Sequence, residues 1–155
     1  MDALQKIQSV ADYQFGRDAG TKLFPDTVRI VYSKNTGKIR HIHLKEKLLA
    51  TLRPTTGLLI LTVAGAKRLV REVNPLRCWV KVDDDAESFV KKGRSAFAKH
   101  VINADPEIRP NEEVVVINRT NNVLAVGRAM LSGEEMTQFS RGIAVRVRRG
   151  VTEKS

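Results

Sequence analysis

Gly142-Ile143-Ala144-Val145-Arg146-Val147-Arg148-Arg149 is where the fold of this chain is most legible. Ile143, Val145 and Val147 alternate with Ala144, Arg146 and Arg148, the period of two that a β-strand takes when one face is covered and the other is open. Arg146 and Arg148 then share a face about 7 Å apart, close to the spacing of phosphates along one nucleic-acid strand. A strand edge kept from aggregating by charge would show the same pattern.

Working back from this strand, the signals are those of a small β-rich domain. Ser132 stands three residues before Glu135, a capping box for a short helix. Residues 113–118 and 123–130 form a hairpin across 119–122, and 105–110 make a rigid turn. Residues 96–102 read as extended. A helix capped by Asp84, with Glu87 three positions on, runs to Lys92 and stops at Gly93, and 78–82 is a strand. Many short strands with few helices predict a small barrel.

Asn74-Pro75 is the natural boundary. Before it, Leu4, Ile7, Val10 and Ala11 recur at helical spacing behind Asp2 and Gln5, and Gly16 stops the helix. A loop through Phe24 and Pro25 follows. Strands are expected near 28–33, 38–44, 48–52 and 58–63, the first two joined through Asn35-Thr36-Gly37, and then a helix at 66–72. The expected fold class is therefore α+β: an N-terminal α+β domain over 1–75, a mixed barrel with short helices over 76–150, and a tail at 151–155.

Lys and Arg number 27 against 17 for Asp and Glu, a formal charge of +10 in 155 residues. Such an excess gathers counter-anions, and nucleic acid is the commonest partner. The halves differ: residues 1–75 hold 13 basic and 6 acidic side chains, residues 76–155 hold 14 and 11. The densest cluster is nonetheless Arg141, Arg146, Arg148 and Arg149. A single cysteine, Cys78, rules out an internal disulfide or a multi-cysteine zinc site and suits a reducing compartment. The longest apolar run, 58–66, is far short of the roughly 20 residues of a membrane helix. The N-terminus reads as an amphipathic helix rather than a signal peptide, so the expected location is the cytoplasm.

Few residues invite chemistry. Lys91, Lys92 and Arg94 around Gly93 form a basic patch, although cations at a helix C-terminus also suit its dipole. His41 and His43 share a strand face but lack an obvious third ligand, so they read as solvated surface histidines. Asp83-Asp84-Asp85 is explained by helix capping, and Cys78 beside Trp79 by burial. No phosphate loop, dinucleotide fingerprint or nucleophile triad is present. The chain is expected to be no enzyme, with no catalytic residue, metal or cofactor.

At family level, the second half resembles the PUA domain, an RNA-binding barrel of many tRNA- and rRNA-modifying enzymes. The matching residues are Phe97-Ala98-Lys99, Asp105-Pro106-Glu107-Ile108-Arg109-Pro110, Val126-Gly127-Arg128-Ala129, Ser132-Gly133-Glu134-Glu135-Met136 and Arg141-Gly142-Ile143-Ala144-Val145-Arg146-Val147-Arg148. In this form it is similar to the C-terminal end of archaeal archaeosine tRNA-guanine transglycosylase. Asp12-Tyr13-Gln14-Phe15-Gly16 and Thr36-Gly37-Lys38-Ile39-Arg40 resemble the domain preceding PUA in that family. The family's catalytic barrel and cysteine-rich zinc site have no counterpart here, so the resemblance implies RNA binding without base exchange. It places RNA against the first PUA helix, the glycine after it and neighbouring strands. Residue by residue that means Lys91, Lys92, Gly93, Arg94 and Lys99, with Arg146 and Arg148 as backbone contacts. The implied partner is RNA, with the acceptor end of tRNA favoured, and the implied role is that of a stand-alone or accessory subunit of a modification enzyme. Two alternatives stand beside it: a ribosome- or translation-associated protein binding rRNA or initiator tRNA, and a protein-interaction module that grips acidic partners.

Overall fold

The computed structural model describes residues 1–153, and it divides into two compact units, Met1–Leu76 and Arg77–Ser155. Of the tail read at 151–155, residues 154 and 155 lie outside the described residues.

The first unit opens with α1 (Ala3–Phe15), where the Asp2 carboxylate accepts from Gln5 N–H and the Gln5 side chain answers to Asp2 N–H. Ile7, Ala11 and Phe15, on one stripe, are fully buried. A second helix, α2 (Ala19–Leu23), replaces the loop expected ahead of Pro25. Its five residues are too few to show a helical period, and its N-cap Asp18 makes no side-chain cap bond, so neither usual signal is present. Strands β1 (Arg29–Tyr32), β2 (Ile39–Leu44), β3 (Lys47–Leu52) and β4 (Leu59–Leu61) form an antiparallel meander in chain order. The closing helix α3 (Val63–Glu72) begins at Thr62, whose hydroxyl accepts from Gly65 N–H and donates to Leu48 O at 2.6 Å. Buried Gln14 ties α1 to the sheet. Its amide donates to Leu59 O at 3.1 Å and accepts from Leu59 N–H at 2.7 Å, as a neighbouring strand would.

The second unit is a six-stranded, nearly closed barrel with short helices. Its strands are β5 (Trp79–Val82), β6 (Ala96–Phe97), β7 (Val101–Ala104), β8 (Glu113–Ile117), β9 (Val123–Ala129) and β10 (Ile143–Gly150), in the order β6-β10-β9-β8-β5-β7. Only β5 and β8 run parallel; the other pairs are antiparallel. Val80, Val82, Val114, Val116, Leu124, Val126, Met136 and Val145 fill the core. Helix α5 (Gly133–Gln138) carries the capping box expected of Ser132 and Glu135.

Three local expectations change. Helix α4 (Asp84–Lys91) is capped one residue earlier than read: the Asp83 carboxylate accepts from Ala86 N–H at 3.0 Å. Three successive aspartates allow three registers. Asp83 is chosen because its backbone N–H is also pinned to His100 O at 2.9 Å, fixing it at the corner. The extended run at 96–102 is broken by a 3-10 turn at Ala98–His100, which carries the chain from β6 at one sheet edge to β7 at the other. The strict alternation of the last strand fails as well. Ala144 and Val145 are both buried, and the β9–β10 register shifts between Val147 and Arg149. A bulge inserts one residue and re-aims side chains, and no single-strand pattern announces it.

Candidate nucleic-acid interface

The end of α4 places the first group of predicted residues. Asp84, Asp85 and Glu87 occupy its first turn and Lys91 its last, so its charges follow the helix dipole. Gly93, at φ 98°, ends the helix. Its N–H donates to Val90 O at 3.0 Å and Arg94 N–H donates to Phe89 O at 3.1 Å, a Schellman motif that favours glycine. Lys92 and Arg94 are exposed. Lys91 is partly neutralised: its ammonium stands 3.6 Å from Glu87, whose carboxylate also accepts from Asn118 at 2.8 Å. Lys99 is exposed on the 3-10 turn.

The two arginines of β10 differ sharply in setting. Arg146 is exposed and lies directly across from exposed Arg128 on β9. Like charges at opposed strand positions repel; Glu113 of β8, which pairs with Arg148, stands across from Arg128 on its other side, and an anion bridging the two arginines would relieve the repulsion that remains. Arg148 is the extra residue of the bulge, and its guanidinium is committed to Glu113. Nη1 donates to Oε1 at 2.8 Å and Nη2 pairs with Oε2, making a two-pronged contact. The Glu113 side chain is only 8% exposed, so this pair belongs to the barrel wall as much as to the surface.

Two further residues join this surface. Arg128 does so through the β9–β10 register. Phe97, 40% exposed on β6, pairs across to Ile143 and neighbours the turn bearing Lys99. An exposed aromatic among cations suits base stacking. Strand β10 is thus a spine: Phe97 and Lys99 lie by its start, Arg128 and Arg146 at its middle, and the end of α4 against Gly150. Seven strand intervals span about 23 Å, several nucleotides rather than one pocket.

Elsewhere the chemistry is sparse. His41 Nδ1 lies 3.2 Å from the Thr51 hydroxyl, and its ring meets His43 edge-on at 6.3 Å. Burial, with Arg40 and His43 nearby, lowers the His41 pKa. Cys78 is buried, and desolvation pushes its thiol up to about 12. Its N–H donates to buried Asp105 at 2.7 Å. Among the described residues no group of three or more His, Cys, Asp and Glu is placed to hold a metal, and no helix is long and apolar enough to cross a membrane.

The barrel of the second unit is of the PUA type, and comparison with known proteins agrees. Residues 79–151 match the PUA domain, and residues 5–75 match the patch-forming domain C2 of tRNA-guanine transglycosylase. The chain is a C2-plus-PUA protein, similar along nearly all its length to the C-terminal region of archaeal tRNA-guanine(15) transglycosylase. It is 45% identical over 150 residues to that protein of Methanothermobacter thermautotrophicus, covering 97% of this chain and 23% of the relative. For Thermococcus kodakarensis the identity is 48% over 151 residues, covering 97% and 26%. The chain thus spans about a quarter of the length of these curated relatives. Among solved structures, a hypothetical protein of Pyrococcus horikoshii OT3 aligns with TM-score 0.79 and 23% identity, covering 97% of this chain and 91% of that one. A conserved PUA domain protein of Thermoplasma acidophilum aligns with TM-score 0.70 and 22% identity, covering 98% and 90%. These two share the fold.

Proposed function

We propose that this chain binds RNA, with tRNA the favoured ligand, along the β10 side of its PUA barrel, and that it does so without base exchange. The observation that carries the reading is the opposed pair Arg128 and Arg146, exposed in the middle of a strand whose ends meet Lys99 and the Lys91–Arg94 turn. Phosphates bridging such cations release counterions, and Phe97 gives an unstacked base a platform. The relatives' name, tRNA-guanine transglycosylase, supports tRNA as the ligand, and the role proposed is that of a stand-alone or accessory RNA-binding subunit in tRNA modification. The proposed contacts are Lys91, Lys92, Gly93, Arg94, Lys99, Arg146, Arg128 and Phe97. Arg148 contributes field and strand geometry through Glu113 more than a free contact.

The test is filter binding of labelled unfractionated tRNA at several salt concentrations, followed by crosslinking and peptide mapping. Crosslinks on 91–99 and on β9–β10, with affinity falling as salt rises, are expected. Salt-independent binding, or crosslinks confined to the first unit, would refute the assignment. Guanine exchange into tRNA by the purified chain would overturn its non-catalytic part.

A further inference from the structure

After β10 the chain turns back over the end of α4. Thr152 donates to Lys91 O from both its N–H, at 3.1 Å, and its hydroxyl, at 2.9 Å. Val151 N–H bonds Leu124 O at 2.8 Å, and Glu153 N–H bonds Gly150 O at 3.1 Å. This turn brings the Glu153 carboxylate over Gly93, so that a Cβ added to Gly93 would run into it. One oxygen, Oε1, accepts from Gly150 N–H at 2.6 Å.

One feature gives an oxyanion room here. The floor is two glycine backbones in close approach: a Cβ on Gly150 would overlap Lys91 O and Gly93 N. The Gly150 N–H above this floor can donate to a carboxylate or a phosphate oxygen alike. The carboxylate sits at a helix C-terminus, where the dipole opposes it. The hold is light. Glu153 is exposed, and no lysine or arginine among the described residues forms an ion pair with it.

We propose that in the free protein Glu153 occupies the phosphate position beside Gly93 and Gly150 that the RNA backbone would take, so that RNA must displace the carboxylate to bind. This rests on the RNA-binding reading above and adds an internal competitor to it. The experiment measures unfractionated tRNA affinity and thermal melting of the full chain for wild type, Glu153→Ala, Glu153→Gln and the control Glu134→Gln, which makes the same charge change on α5. Releasing one charge-assisted bond and its repulsion should tighten binding about 3- to 10-fold in Glu153→Ala, with Glu153→Gln between it and wild type. Glu134→Gln should change affinity less than about twofold. In the wild type, the Gly150 amide resonance should move when tRNA is added. Glu153→Ala binding no tighter than wild type, or Glu134→Gln tightening as much, would overturn the competition. If wild type binds tRNA and Lys92→Ala weakens it, the RNA reading stands whatever Glu153 does; if no variant binds tRNA, both fall.

Discussion

Replacing Arg148 with alanine should cost stability, whereas replacing Arg146 should cost RNA binding. The Glu113 carboxylate, 8% exposed, is held by two contacts from a guanidinium that is itself 36% exposed. Deleting one member of a fully buried pair costs roughly 3–5 kcal/mol, because a charge is left buried without its partner. With a third of the Arg148 side chain open to water the loss is screened, and about 2 kcal/mol is expected. In urea that lowers the unfolding midpoint by about 1–2 M for a domain of this size. Adding Glu113→Gln to Arg148→Ala removes the stranded charge and should recover about half of the loss. Arg146→Ala should stay within about 0.5 kcal/mol of wild type, since the side chain is exposed and its removal also ends the repulsion from Arg128. The order inverts for tRNA. Arg146→Ala should reduce the slope of log affinity against log salt by about 0.7–0.9, one phosphate's share, while Arg148→Ala should change it by less than half of that. Urea melts and salt-dependent filter binding on the same preparations decide the matter. Wild-type stability in Arg148→Ala, together with a full phosphate lost from its slope, would refute the assignment of this arginine to the barrel wall.

Other perturbations follow from the same geometry. Because burial raises the Cys78 pKa to about 12, well above that of an ordinary thiol, the group should resist alkylation in the native protein at pH 8 and react on unfolding. The same shift means that the fold favours the protonated thiol. Its stabilisation is complete below about pH 9 and is lost as pH rises toward 12, so the stability of wild type relative to Cys78→Ala should fall on the order of 2 kcal/mol by pH 11 in urea melts. Asp105→Ala should cost about 2–3 kcal/mol in the same assay, since the buried carboxylate accepts from Cys78 N–H and Glu107 N–H. Gly93→Ala should cost on the order of 1 kcal/mol from its positive φ and weaken tRNA binding further than the lost stability explains, because its methyl fills the floor of the proposed phosphate site. Affinity equal to wild type in a folded Gly93→Val would remove RNA from that turn.

The local elements and the kind of surface they present are legible in the order of the residues alone. The capping boxes at Asp2 and Ser132, the hairpin across 119–122 and the glycine stop after Lys92 are interactions within a few residues, so their signals sit side by side in the chain. The excess of cations is likewise a sum over residues and needs no fold. What tertiary structure alone decided is which charges remain available to a partner. Arg146 and Arg148 are equivalent in the alternating pattern, yet a bulge against β9 hands one to Glu113, 35 residues away, and faces the other with Arg128. Helix α2 and the 3-10 turn at 98–100 escaped for a related reason: such short segments take their shape from what they pack against, as the Asp83–His100 bond shows. Glu153, unremarkable as a tail residue, reaches Gly93 only because β10 ends against α4. Pairings between distant segments are set by the closure of the barrel, and closure is a property of all six strands at once.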